Sequence, residues 1–432
     1  MIFIPFIFFL LLTIYWWKKG HGLDVCTYMS GLYAFTTFLS IVIVQFDLID
    51  AGGILFDKYD IELSALPTII FCVTIALGII PFSMIYSKEI KNVSNGTPHL
   101  VMAISIILIG VAILNFWLVA DSTAEILGGD LETVRRAHYE GIETPAEAKV
   151  LTLPAILGYF YYLKLSTLMA LPLFFYYSCF TNKRWWFLAL LFFASLATPI
   201  SALQAADRTE FILYALMFSF CLILFWKNLS RKFKRKLFIF GTPMMLVVAA
   251  YIVAVSAARF GDTDEGAQGG AIQYAGQNYL NFCFFWENAK YDEICSEREF
   301  PLLNHFINKV DSNKDRRAER SGHQGFFISV FAAYVGDVML DLSPLGMTAW
   351  VLFFFIMNML IVKRKHREEF DIGEILAIFT SAVVPVFGIF YYKYAFWHYT
   401  LMLIMVFAVY VLSGLNRKLA QSEDDGHEPE EP

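Results

Sequence analysis

The sequence predicts an all-α polytopic membrane protein with about eleven transmembrane helices, and three observations predict it. The 432 residues are 58% hydrophobic and only 17% charged, which is more apolar surface than a water-soluble core hides. Apolar runs of about 20 residues, the length that crosses the hydrocarbon core as a helix, recur along the whole chain. Lys and Arg gather in the short segments between those runs, the asymmetry that orients membrane proteins. Residues 1–418 read as one membrane-embedded domain, and the acidic tail 419–432 is expected to be disordered and cytoplasmic.

Hydropathy windows place spans near 2–17, 24–46, 66–86, 100–120, 160–180, 185–204, 209–226, 237–258, 345–362, 372–391 and 395–413. The run from Ile2 to Trp17 is followed, not preceded, by Lys18 and Lys19 and by no small-residue cleavage site, so it reads as an uncleaved first span. The stretch 150–180 is too long for one upright span and contains Lys164; its first half reads as an interfacial or tilted lead-in. With the N-terminus outside, the cytoplasmic segments contain Lys18 and Lys19, Lys88 and Lys91, Lys183 and Arg184, the six bases of Lys227–Lys236, the four of Lys363–Arg367, and Arg417 and Lys418. Those short segments hold 18 of the 33 basic residues, and the C-terminus is then cytoplasmic.

This frame makes 259–322 the longest outer loop and the expected extramembrane working surface. Phe326–Leu342 is apolar but contains Asp337 and Asp341, and a crossing there would turn Lys363, Arg364 and Lys365 outward. The segment 323–343 is therefore read as non-crossing or re-entrant, which is tolerated where protein or a wet cavity satisfies the backbone. A second outer piece, Asp121–Lys149, suits an interfacial amphipathic helix around Leu131–Tyr139. Cys26, Cys72, Cys179 and Cys221 fall within spans, where a thiol packs as a small apolar group. Cys283 and Cys295 both fall in the outer loop; they are either two free thiols or, in an oxidising compartment, the expected bridge.

Ionisable groups at the ends of apolar helices ask for a role or a partner. Arg208 sits in the short outer turn Ala205-Ala206-Asp207-Arg208-Thr209-Glu210, where its forked, permanently charged donor set suits phosphate oxygens. The alternative is an ion pair with Asp207 or Glu210. Arg259 closes the eighth span ahead of Gly261, Gly266, Gly269 and Gly270, a run that permits close backbone approach to a ligand; its alternative is snorkelling to the interface. Further on, Arg320 is a candidate substrate ligand, and His323 or Asp337 a candidate proton acceptor; capping or pairing with an arginine is the structural alternative. Asp262, Asp264 and Glu265 read as a solvated acidic turn, so no metal or other cofactor is expected, and no motif points to nucleic acid. The aromatic runs, Tyr391-Tyr392-Lys393-Tyr394 among them, read mostly as interface belts.

The order of these features resembles the O-antigen or oligosaccharide repeat-unit polymerase family (Wzy-type). About eleven spans, an arginine in a mid-chain outer turn, a long outer loop opened by an arginine, and a Gly- and Asp-bearing segment after it carry the likeness over most of the chain. Arg259, ten intervening residues and Gly270 match the family's Arg-to-Gly spacing; after Arg208 the corresponding position is Ser219, so the glycine is missing there. The resemblance implies a GT-C-like glycosyltransferase in a bacterial inner membrane, with undecaprenyl-pyrophosphate-linked glycans as substrates and a chain-length regulator membrane protein as partner. It implies polymerisation of repeat units into O-antigen, capsule or exopolysaccharide on the outer face, with Arg208 and Arg259 on the pyrophosphates. An O-antigen ligase shares this architecture. A lipid-linked oligosaccharide flippase is the other alternative, opposed by the long outer loop and the lack of internal duplication.

Overall fold

The computed structural model describes residues 1–20, 22–49, 54–56, 63–86, 90–128, 152–181, 183–202, 208–239, 266–291, 313–363, 369–395 and 397–425, with isolated positions in 241–255 and at 301; structural statements below concern these residues. The chain is mostly helical. In order come α1 (Phe3–Gly20), α2 (Val25–Gln45), α3 (Ala65–Ile79), α4 (Ser83–Tyr86), α5 (Pro98–Gly128), α6 (Ala155–Tyr162), α7 (Ala170–Phe180), α8 (Trp185–Ser195), α9 (Ala197–Ser201) and α10 (Thr209–Phe225). After them come α11 (Gly266–Asn288), α12 (Asn313–Gln324), α13 (Ala333–Lys363), α14 (Ile372–Phe387) and α15 (Trp397–Asp425), with strands β1 (Asn92–Ser94) and β2 (Glu369–Asp371).

Six stretches are long and apolar enough to cross a membrane: Phe3–Gly20, Val25–Gln45, Ala65–Ile85, Pro98–Ala120, Ala333–Val362 and His398–Asn416. Trp185–Ser201, Thr209–Phe225 and Ile372–Phe387 are shorter apolar helices at expected span positions. The stretch 155–180 is broken in the middle by a 3-10 turn, Leu163–Met169, in which Lys164 donates to Tyr161 Oη at 2.7 Å. The expected span 237–258 and the helix around Leu131–Tyr139 lie largely or wholly outside the described residues.

Contacts between loops sort them into two groups. Asn92–Ser94 pairs in parallel with Glu369–Asp371, Asn228 Nδ2 donates to Ile90 O at 2.6 Å, and Asn416 Nδ2 donates to Gly96 O at 3.1 Å. All of these segments are expected to be cytoplasmic. Gln273 Nε2 donates to Leu48 O and Ile49 O (3.0 and 2.9 Å), the Leu55 N–H donates to Asn281 Oδ1 (3.1 Å), and Asn281 Nδ2 donates to Phe331 O (3.0 Å). Those segments are expected outside. In each of these contacts among the described residues, a loop meets one expected on its own side.

The outer loop is not the free surface expected of 259–322. Gly266–Asn288 forms α11, and its Tyr279, Leu280, Phe282, Cys283 and Phe285 are fully buried against α2, α3 and α13. Its polar content, which reads as loop, is compatible with burial because loop carbonyls satisfy it: Gln273 as above, and Asn278 Nδ2 with Ile389 O at 2.8 Å. The helix approaches α2 at Gly276, where an added Cβ would stand 2.7 Å from the Leu39 carbonyl carbon and from Ile43 Cδ1. Ser40 Oγ donates to the Gly276 carbonyl at 2.5 Å. Gly276→Leu is therefore expected to force α11 off α2, with a loss of about 1–3 kcal/mol in an unfolding measurement in detergent. Cys283 is a buried thiol inside this helix, next to Tyr279, and the other half of the expected bridge, Cys295, lies outside the described residues.

The second half of the expected non-crossing segment 323–343 is the first third of α13. A straight 31-residue helix would be about 46 Å long against a core of about 30 Å. It is broken at Ser343, whose φ of 68° is left-handed, just before Pro344. Ala333–Asp341, ahead of the break, are buried, whereas much of the apolar surface after it, including Phe353, Ile356 and Leu360, is exposed as a lipid-facing helix would be. Toward the C-terminus α15 runs on through Asp425, across a stretch in which Leu419, Ala420 and Gln421 favour helix, and 426–432 lie outside the described residues.

Candidate functional site

At the end of the bundle expected to face outward, the start of α10, the first turns of α11, the loop before α13 and the loop between α14 and α15 converge. Arg208 is the N-cap of α10 and is only 5% exposed. Its guanidinium lies over the Tyr274 ring, 4.1 Å from the centroid, a stacking that fixes the plane of the fork. Tyr274 in turn meets Phe331 edge-on at 4.4 Å, and Phe331 stacks on Tyr391 at 5.8 Å. Gly270 is buried one helical turn before Tyr274, on the same face of α11.

A second cation stands in this cluster. Lys393, 2% exposed, donates to Glu210 Oε1 at 2.6 Å and to Tyr391 Oη at 3.2 Å, with the Phe387, Tyr391 and Tyr399 rings 4.9 to 5.4 Å from its Nζ. The Tyr399 hydroxyl donates to Glu210 Oε2 at 2.6 Å. Both Glu210 oxygens are thus engaged by groups other than Arg208, while Asp207 lies outside the described residues. Arg208, Lys393 and Glu210 stand among aromatic rings, which exclude water and raise the worth of each charge.

The half-helix at the start of α13 holds the loop that carries Lys393. Asp337 Oδ2 accepts the Tyr392 N–H at 2.8 Å, and the Tyr334 N–H donates to Gly388 O at 2.8 Å. Asp337 is therefore buried as a positioning group. Arg320 pairs with Asp341 at 2.5 Å and donates to Leu340 O at 3.1 Å, tying α12 to the same half-helix. His323 is exposed in the last turn of α12, where its carbonyl accepts from Lys290 Nζ at 2.8 Å. It belongs to the junction of α11 with α12, and His323→Ala is expected to leave activity within about twofold of the parent in a polymer-length assay. Arg259 and the acidic turn at Asp262, Asp264 and Glu265 lie outside the described residues.

Of the expected site residues, the structure thus brings Arg208 and Gly270 to one place and puts Asp337 behind it. Lys393, Glu210, Tyr274 and Tyr399 are members that sequence reasoning missed; the signal was a lysine inside an aromatic run between two spans, which a belt residue does not need. Among the described residues no group of three or more His, Cys, Asp or Glu side chains is placed to hold a metal ion. Comparison with family models, curated proteins and solved structures finds no match.

Proposed function

We propose that this chain is a lipid-carrier-dependent glycosyltransferase that polymerises undecaprenyl-pyrophosphate-linked repeat units at the outer face of a bacterial inner membrane. The observation that carries the reading is the pair of buried cations, Arg208 and Lys393, held at the end of an apolar helical bundle that is expected to face outward. In the reaction, an acceptor sugar hydroxyl attacks the anomeric carbon of the growing glycan, and the bond from that carbon to the carrier pyrophosphate breaks. Negative charge builds on the departing pyrophosphate, and fixed cations in a water-poor site stabilise it more in the transition state than in the ground state. Glu210 is the carboxylate of this group and takes the role of proton acceptor that the sequence assigned to His323 or Asp337.

Loss of the gene tests the reading. Lipid-linked glycan is then expected to stop at a single repeat; long carrier-bound chains would indicate a ligase, and units held on the cytoplasmic leaflet a flippase.

A further inference from the structure

At the other end of α10 from Arg208 the chain turns through 226–230 and is helical again over 231–239. Ser230 opens this helix, its Oγ accepting the Phe233 N–H at 3.2 Å. Phe233 turns inward and meets the Phe174 ring of α7 at 5.8 Å, which holds the helix against the bundle. Another face is charged: Arg231, Lys232, Arg235 and Lys236 stand at i, i+1, i+4 and i+5, and all four are exposed. Like charges at i, i+4 destabilise a helix, and among the described residues none of the four is paired with a carboxylate. Exposed rings stand beside them. Trp226 and Phe238 meet edge-on with centroids 6.2 Å apart, and Lys234 lies over the Trp226 ring, 4.4 Å from its centroid. Phe180 at the end of α7 meets Phe225 at the end of α10 at 6.3 Å, so the turn after α7 lies beside the turn after α10. That neighbouring turn adds exposed Lys183 and Arg184, followed by exposed Trp185 and Trp186.

From these unneutralised cations set beside exposed aromatic rings, we infer that this corner of the bundle binds an anionic phospholipid of the bilayer. Its phosphate lies on the face of Arg231, Lys232, Arg235 and Lys236, and its acyl chains lie along Trp226 and Phe238. Charge complementarity selects the headgroup, because juxtamembrane basic clusters attract anionic lipid. Exposed Trp and Phe rings suit the level where headgroup meets acyl chain. The inference is independent of the proposed activity and concerns the end of the bundle expected to be cytoplasmic. Basic residues beside an apolar helix also serve as an insertion signal, and selectivity separates the two roles. An insertion signal acts while the chain is threaded, whereas a binding site distinguishes an anionic from a zwitterionic headgroup in the folded protein.

The test uses the full-length protein purified in detergent and titrated with phosphatidylglycerol, phosphatidylcholine or inorganic phosphate, with thermal stability and lipid retention as readouts. The wild type is expected to respond to phosphatidylglycerol at about tenfold lower concentration than to phosphatidylcholine, and not to respond to inorganic phosphate. Raising the salt to about 1 M, where the screening length falls to about 3 Å, is expected to erase that preference. Lys232→Gln combined with Arg235→Gln is expected to weaken phosphatidylglycerol binding about tenfold or more. Arg417→Gln combined with Lys418→Gln removes the same charge at the end of α15 and is expected to leave binding within about twofold. Lys232→Arg with Arg235→Lys keeps the charge and is expected to keep the binding. Equal binding of the two lipids by the wild type would overturn the inference, as would undiminished binding by the double Gln variant at Lys232 and Arg235 or an equal response to inorganic phosphate. The wild-type comparison decides the matter even where that variant fails to insert.

Discussion

Arg208→Ala is expected to abolish long glycan chains while the protein still inserts and single lipid-linked repeats still accumulate. The guanidinium is buried at the helix start and held flat over Tyr274, so its donors are oriented before any ligand arrives. Removing a preorganised charge that acts on a leaving group costs about 3 kcal/mol in the transition state, roughly a hundredfold in rate. Arg208→Lys is expected to recover only part of this, because an ammonium keeps the charge and loses both the planar fork and its stacking. Chain-length profiles at matched membrane expression give the answer. Near-normal polymer from Arg208→Ala would leave this residue as a structural anchor of the α10–α11 contact.

The second large effect concerns the Lys393–Glu210 pair. Its side chains are 2% and 13% exposed, so replacing one partner leaves the other as an uncompensated charge among aromatic rings. Lys393→Met or Glu210→Gln alone is expected to lower stability by about 3–5 kcal/mol, and the double variant to recover most of that loss. Activity is expected to separate from stability: the double variant refolds the site without its second cation or its carboxylate and stays inactive. Thermal unfolding of the three variants, set beside polymer length, resolves the two contributions. A double variant as active as the parent would make the pair a structural tie between α10 and the loop before α15.

The helical, membrane-spanning character was legible in the chain because lipid imposes a length scale. The apolar helices α1, α2, α3 and α5, and the shorter ones at Trp185–Ser201 and Thr209–Phe225, fall where apolar run length puts them. Asp337 and Asp341 marked the segment ahead of the break in α13 as unlike an ordinary span, while the break itself at Ser343 was not read from the sequence. The burial of α11 was not legible: Gln273, Gln277, Asn278 and Asn281 look like loop residues until the carbonyls that satisfy them are brought in from residues up to 225 positions away. For the site, Arg208 stood out as a charge between two apolar helices, and Gly270 through its spacing from Arg259. Lys393 did not, because its partner Glu210 is 183 residues away and its aromatic neighbours disguised it as part of an interface belt. Non-local pairing of this kind leaves no trace in hydropathy or in local spacing. The buried Cys283 is the converse case, since its place in the sequence suggested a loop thiol and only packing shows it inside a helix.

The central claim is that this chain itself joins lipid-linked repeat units, and reconstitution tests it most directly. Purified protein in liposomes is supplied with undecaprenyl-pyrophosphate-linked repeat units from the source membrane, and both glycan length and released undecaprenyl pyrophosphate are measured. The account predicts a ladder of lengthening lipid-linked glycan with one carrier pyrophosphate released per bond formed, both lost in Arg208→Ala. Repeat units that stay single while the same preparation binds undecaprenyl phosphate would contradict it.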